Sequence, residues 1–241
     1  LLDLCRFSTN ESEDPISLSQ YLEKMPDTQK EIYYISAETS AQALASPHLE
    51  GFKSKNIPVL IMTDAIDQFW LPMVGSFKEK KFTSITQGKI NLDELDSKNK
   101  DKKNKSNDDK DKQDKEYVDL IAQLKVVLGD QVKDIRLSSK LTDSPVCLVA
   151  DEGDMDIAME QLMAQRDSNY KGAPRILEIN GDHSLIKNMK SLLSKKESND
   201  LVSDAGTLLF EQARLMEGKM PADPAQFSKI MNQFLLKAIP N

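Results

Sequence analysis

Apolar positions along this 241-residue chain come in short runs whose spacing switches between helical and extended. Leu18, Tyr21, Leu22 and Met25 recur at helical intervals behind Ser17, which predicts a helix over 17–25. Ile32-Tyr33-Tyr34-Ile35 predicts a strand over 31–36, and the apolar run Pro58–Met62 predicts a buried one. Residues 40–54 have helical character broken near Pro47, 66–77 read as a helix, and 81–85 as a last short strand. Further on, a helix over 117–128 runs into Gly129, a residue suited to a helix C-cap. Strands are predicted at 132–137, 145–150 and 175–180, with a Met-rich helix at 154–165 between the second and third. Helices at 183–194, 200–217 and 224–238 close the chain.

Between these halves, residues 96–115 contain eight Lys, six Asp and no apolar side chain. Nothing in that segment offsets the roughly 1–2 kcal/mol per residue lost on ordering a backbone, so a charged flexible linker is expected. The interspersed Asp residues spoil the uniform field that a basic patch for nucleic acid or anionic lipid would need. The expected organisation is therefore an α/β segment over 1–95 with helices on both faces of a small sheet (α/β/α layers), the linker 96–115, and an α+β domain over 116–241 ending in a helical hairpin.

A net charge of −7 argues against a nucleic-acid partner, and no apolar run approaches the roughly 20 residues of a membrane span. Cys5 and Cys147 are too few and too far apart for a disulfide framework, which points to a reducing compartment. The opening at Leu1, inside an apolar run, reads as a piece of something longer. His48 and His183 lack carboxylate or Cys neighbours at metal-ligand spacing, and both fit helix starts. The glycines form no phosphate-binding loop, no Ser sits in a GxSxG elbow, and Cys147 lies in an apolar strand where a buried, inert thiol is expected.

Two apolar faces exceed the ordinary expectation. Phe227, Ile230, Met231, Phe234 and Leu235 recur at i, i+3, i+4, i+7, i+8, and the preceding helix carries Leu201, Ala205, Leu208, Leu209, Leu215 and Met216 at similar spacing. Periodicity alone leaves open whether this hairpin packs on its own domain or meets a copy of itself across a two-fold axis. Met155, Met159, Leu162 and Met163 form one face of a predicted helix, which is either core or an adaptable surface for varied apolar partners.

Taken in order, several stretches resemble the HtpG-type chaperones of the ninety-kilodalton heat-shock family. They are Leu2–Phe7 with Ser8-Thr9, Ser19–Met25 followed by Gln29–Ile35, Ser46–Glu50, Thr63–Asp67, Val132–Leu137 followed by Leu141–Pro145, Leu177–His183, and Asp223-Pro224 with Met231–Leu235. Gly181 stands where that family usually has Pro and Lys140 where it usually has Arg, and the chain stops at Ile239-Pro240-Asn241 without the acidic tail of eukaryotic cytosolic members. The resemblance implies the C-terminal half of a bacterial, cytoplasmic chaperone: the end of the middle domain over 1–95 and the dimerisation domain over 116–241. It implies a homodimer interface at Leu208, Leu209, Leu215, Met216, Phe227, Ile230, Met231, Phe234 and Leu235. It also implies contacts to partly unfolded client proteins through Phe69, Trp70, Met73, Met155, Met159, Leu162 and Met163, with other chaperones as further partners. On this reading the fragment is no enzyme and holds no cofactor, ATP and Mg belonging to a domain outside it. The rival readings are a two-domain α/β enzyme or its regulatory half, and an oligomerisation scaffold whose apolar faces are all internal.

Overall fold

The run Ile32-Tyr33-Tyr34-Ile35 becomes a strand buried on both faces. Tyr33 and Ile35 enter one core with Ala43, Leu49 and Phe52, while Ile32 and Tyr34 enter another with Leu18, Tyr21 and Leu71. The computed structural model describes residues 2–87, 90, 92–95, 103–167, 170, 172–193 and 199–239, with the backbone alone for 93, 94 and 103–114. Its contacts divide into two compact units. The first comprises Leu1–Lys102, Ser139–Thr142 and Val149–Ala173; the second comprises Lys103–Ser138, Asp143–Leu148 and Pro174–Asn241.

In the first unit, β1 (Ser8–Thr9), β2 (Ile32–Ser36), β3 (Leu60–Met62), β4 (Ser76–Phe77) and β5 (Lys80–Ser84) form a sheet in the order β1-β3-β2-β5-β4. Strand β2 runs parallel to both β3 and β5, and the outer strands are antiparallel. Helix α1 (Leu18–Lys24) starts in a capping box between Ser17 and Gln20. Pro47 breaks the next helical stretch as expected, into α2 (Ser40–Leu44), a 3-10 turn over Pro47–Leu49, and α3 (Glu50–Ser54). The expected helix 66–77 is shorter: α4 (Asp67–Val74) stops at Gly75, whose φ of 67° ends the helix and releases Ser76-Phe77 into β4. Below the sheet, the Tyr21 hydroxyl donates to the Pro58 carbonyl at 2.7 Å and accepts from Gln29 Nε2 and the Tyr33 N–H. Burial pushes that phenol well above its ordinary range, so it stays a neutral structural node.

The second unit is a three-stranded sheet, β6 (Val132–Leu137), β7 (Val146–Val149) and β8 (Arg175–Ile179), in the order β6-β8-β7. It packs with α5 (Lys103–Leu128), α7 (Ser184–Leu193), α8 (Asn199–Met216) and α9 (Pro224–Ala238). Leu120, Leu124 and Leu128 of α5 meet Val202, Leu209 and Phe210 of α8 in one core. Glu178, buried in β8, takes a two-pronged contact from the Arg136 guanidinium and a hydroxyl bond from Ser138.

Two boundaries differ from the sequence expectation. Residues 103–115 of the expected linker are the first half of α5, while 96–102 lie outside the described residues. The chain from 103 to 128 has no Gly or Pro, so the helix held by the Tyr117, Leu120, Leu124 stripe can propagate back through the polar stretch. The Met-rich helix, expected within a contiguous block 116–241, is α6 (Ile157–Arg166) and groups with the first unit. Ala150 donates to the Thr86 carbonyl, and the Thr86 hydroxyl donates to Asp156, the α6 N-cap, at 2.8 Å.

Candidate functional site

Within the first unit, a cavity of about 280 Å³ opens at the carboxyl ends of β2 and β3. Ala37 and Glu38 follow β2, Met62 ends β3 and Thr63, Asp64 and Ala65 follow it, Gln68 comes from α4, and Ala158, Gln161, Leu162 and Gln165 come from α6. The position has a topological reason. The chain leaves β2 toward α2 and α3, which pack on the face of Tyr33 and Ile35. It leaves β3 toward α4, which packs on the face of Ile32 and Met62. Adjacent parallel strands whose connections part to opposite faces leave a crevice at their carboxyl ends.

Around this cavity the expected client-contact residues are unevenly presented. On α4, Phe69 and Met73 are exposed, Met73 by 86%. Trp70 is turned inward between Phe7 and Phe82, with its indole N–H donating to Asp67 at 2.7 Å. Asp67 is itself buried, which raises its carboxyl pKa. Met155 is exposed but precedes α6, because Asp156 is the N-cap and the helix begins at Ile157, three residues later than expected. Met159, Leu162 and Met163 are half-buried, Leu162 lining the cavity. Ile66 and Val74 extend the exposed apolar surface of α4 and its start, which the sequence reading missed; a helix with apolar residues on nearly every face would have flagged them.

The second candidate surface belongs to the second unit. The loop between α8 and α9 is tied by Glu211, whose buried carboxylate accepts the Ala222 N–H and lies 3.6 Å from the Arg214 guanidinium. Asp223 then caps α9 by accepting from Ala225 and Gln226. Of the expected interface residues, Leu209 and Ile230 are buried in their own unit, and Leu208, Phe227 and Phe234 are half-buried. Leu215, Met216, Met231 and Leu235 are exposed, and Leu236 and Ile239 add to them although they were not expected. Ile239 had a signal, since it follows Met231 and Leu235 at i+4 spacing, whereas Leu236 lies about 100° round the helix from Leu235 and off the stripe.

The histidines play the parts their positions suggest. His183 Nδ1 accepts the Leu185 N–H at the start of α7. His48 is enclosed in the Pro47–Leu49 turn with no partner for Nδ1, and burial with nearby Lys140 lowers its pKa to about 3. Lys140, fully buried, donates to the carbonyls of Ile85 and Gln87. Cys147 is buried in β7. No described helix is long and apolar enough to cross a membrane.

Against known proteins, residues 1–240 match the family described as Hsp90 protein. The chain is 39% identical over 241 residues to the chaperone protein HtpG of Roseobacter denitrificans, covering 99% of this chain and 38% of that one. It is 38% identical to the HtpG of Wolbachia pipientis, with 98% and 37% covered, and 36% identical to that of Streptomyces coelicolor, with 96% and 35% covered. The chain thus spans less than two fifths of the length of these relatives.

These matches correct two expectations. Calling the chain no enzyme and leaving it without a cofactor rested on placing the ATP-binding domain outside it; the match over 1–240 is to an ATPase-bearing family, so both exclusions are withdrawn. Among the described residues no three carboxylates, histidines or cysteines gather as metal ligands. The cavity at β2 and β3 offers Glu38 and Asp64 but no cation to meet a triphosphate. That cavity does not fit nucleotide.

Proposed function

The chain belongs to the Hsp90 protein family, and from that premise we propose that it serves within a longer chaperone as the part that joins two copies and holds partly unfolded client protein. Residues 1–95 are read as the end of a middle domain, joined by 139–142 and 149–173 of the same compact unit, and the rest of 116–241 as the dimerisation domain, with 96–115 as the connection. The working location is the bacterial cytoplasm, with other chaperones as further partners.

The observation that carries joining is the apolar side chains left uncovered on α8 and α9, where Leu215, Met216, Met231, Leu235, Leu236 and Ile239 are each exposed. A hairpin repeating this face across a two-fold axis closes into a four-helix interface. Leu235 and Leu236 are 48% and 76% exposed. Burying a Leu side chain fully stabilises by about 1.5–3 kcal/mol, so covering the two in both copies contributes about 4–7 kcal/mol. Light scattering of the intact chain is expected to give twice its 27.1 kDa mass. The double change Leu235→Ser, Leu236→Ser is expected to weaken association by roughly three decades. An intact chain that stays monomeric at every concentration refutes the reading.

Client holding is supported by a separate observation, the exposed Ile66, Phe69, Met73 and Val74 on one side of the first unit, with Met155 in the same unit. Two weak apolar surfaces brought together by dimerisation hold a long segment by avidity. Met73→Ser with Met155→Ser is expected to lower affinity for a permanently unfolded substrate severalfold, and unchanged affinity would remove this half of the proposal.

A further inference from the structure

We propose that the cavity between the carboxyl ends of β2 and β3 and helix α6 is a side-chain pocket for a guanidinium or ammonium group, so that the segments held are apolar stretches carrying Arg or Lys. This rests on the client-holding reading and names what that surface selects.

Size sets the first limit. Sites for drug-sized molecules occupy roughly 300–1,000 Å³, and this cavity has about 280 Å³, room for one long side chain. Its walls set the second. Ala37, Ala65, Ala158 and Leu162 offer apolar surface suited to a methylene stem. Charge sets the third. Glu38 and Asp64 lie in the lining, no Lys or Arg does, and no ion pair to either carboxylate is found among the described residues. The amide oxygens of Gln68 and Gln165 add acceptors for the several N–H groups of a guanidinium. Those amides can also donate, so the two carboxylates decide the sign: a phosphate or carboxylate is repelled and a cation attracted. Gln68 precedes Phe69 on α4, and Leu162 stands on α6 just after Met155 and Met159. An apolar segment lying on the exposed residues thus has the pocket within reach of a neighbouring side chain.

The test uses the full 241-residue chain and fluorescence anisotropy with three apolar dodecapeptides. They differ only at two central positions, which carry arginine, neutral citrulline or glutamate. The unmodified chain is expected to bind the arginine peptide about five- to tenfold tighter than the citrulline peptide, the advantage shrinking at high salt. Glu38→Gln with Asp64→Asn should erase that advantage and leave citrulline binding unchanged. Glu38→Lys with Asp64→Lys should turn the preference toward the glutamate peptide. Met73→Ser with Met155→Ser should weaken all three peptides alike. Both carboxylates are exposed, so the charge variants should keep the thermal midpoint of the parent. Equal affinity for arginine and citrulline peptides, or an advantage that survives the Gln/Asn change, overturns the pocket while leaving client holding intact. Failure of all three peptides to bind the unmodified chain overturns both.

Discussion

Replacing Gly51 with Ala sets helix propensity against a tertiary contact. Gly51 lies in α3, and by propensity alone the change should stabilise by about 0.5–1 kcal/mol. The structure predicts the opposite. A Cβ on Gly51 would sit 2.6 Å from the Lys140 carbonyl oxygen, 3.1 Å from Lys140 Cα and 2.5 Å from Leu92 Cδ1. Leu92 can change rotamer only within a filled core, since it is fully buried. The Lys140 backbone has less freedom. Its own ammonium is anchored on the Ile85 and Gln87 carbonyls at 3.3 and 3.1 Å, and two residues on, the Thr142 N–H donates to Glu50 at 2.8 Å. Overpacking typically costs about 1–3 kcal/mol, and loosening one of these bonds adds about 1 kcal/mol, so net destabilisation centred on about 2 kcal/mol is expected after the propensity gain. Trp70 is the sole tryptophan and belongs to the same unit, so its fluorescence in a urea titration reports this unit. With a slope of about 2 kcal/mol/M, the midpoint should fall by about 1 M. Adding Leu92→Ala should not restore it, because the carbonyl clash remains. A Gly51→Ala midpoint at or above that of the parent would refute the close approach.

Three further outcomes are expected. The β4–β5 turn holds Lys78 and Glu79 at φ 46° and 66°, conformations that side chains with a Cβ resist; changing the pair to Asn-Gly should stabilise the first unit by about 1–2 kcal/mol in the same titration, and no gain would mean the turn is not of that type. His48 has its pKa depressed from 6.5 to about 3, so the unfolded chain binds the extra proton first and stability is lost as pH falls from 6.5 toward 3. At pH 5 this amounts to about 2 kcal/mol relative to pH 7, and His48→Gln should flatten that part of the pH–stability curve; an unchanged slope would show His48 protonating freely when folded. Glu211→Gln should weaken the tie to the Ala222 N–H and Arg214, speeding hydrogen exchange over 217–223 severalfold without altering exchange in α5; uniform exchange across both would locate the effect elsewhere.

Local chemistry was readable where a segment's fate depends on its own neighbours. The Ser17 start of α1, the break at Pro47, the strand at Ile32–Ile35 and the Asp223 cap of α9 all follow from capping, ring geometry and side-chain period. The apolar stripes of α8 and α9 were legible as stripes. Which members stay exposed was not: Leu209 and Ile230 sink into the second unit's own core while Met231 and Leu235 remain outside, because that depends on the width of the surface each helix finds. The same holds for α6, whose spacing marked a helix but not its partner. Only the Thr86–Asp156 contact and the crevice beyond β2 and β3 show that it belongs with the first unit. The pocket exists in no stretch of sequence, since Glu38, Asp64 and Gln161 are brought together from three separate segments. Gly51 makes the division sharpest. Its neighbours in the chain describe a weak helical position, whereas Lys140, 89 positions later, makes it a site where no Cβ fits. Period and capping act over a few residues and are written locally, whereas exposure, cavities and close approach are set by contacts between distant segments, which only the folded chain decides.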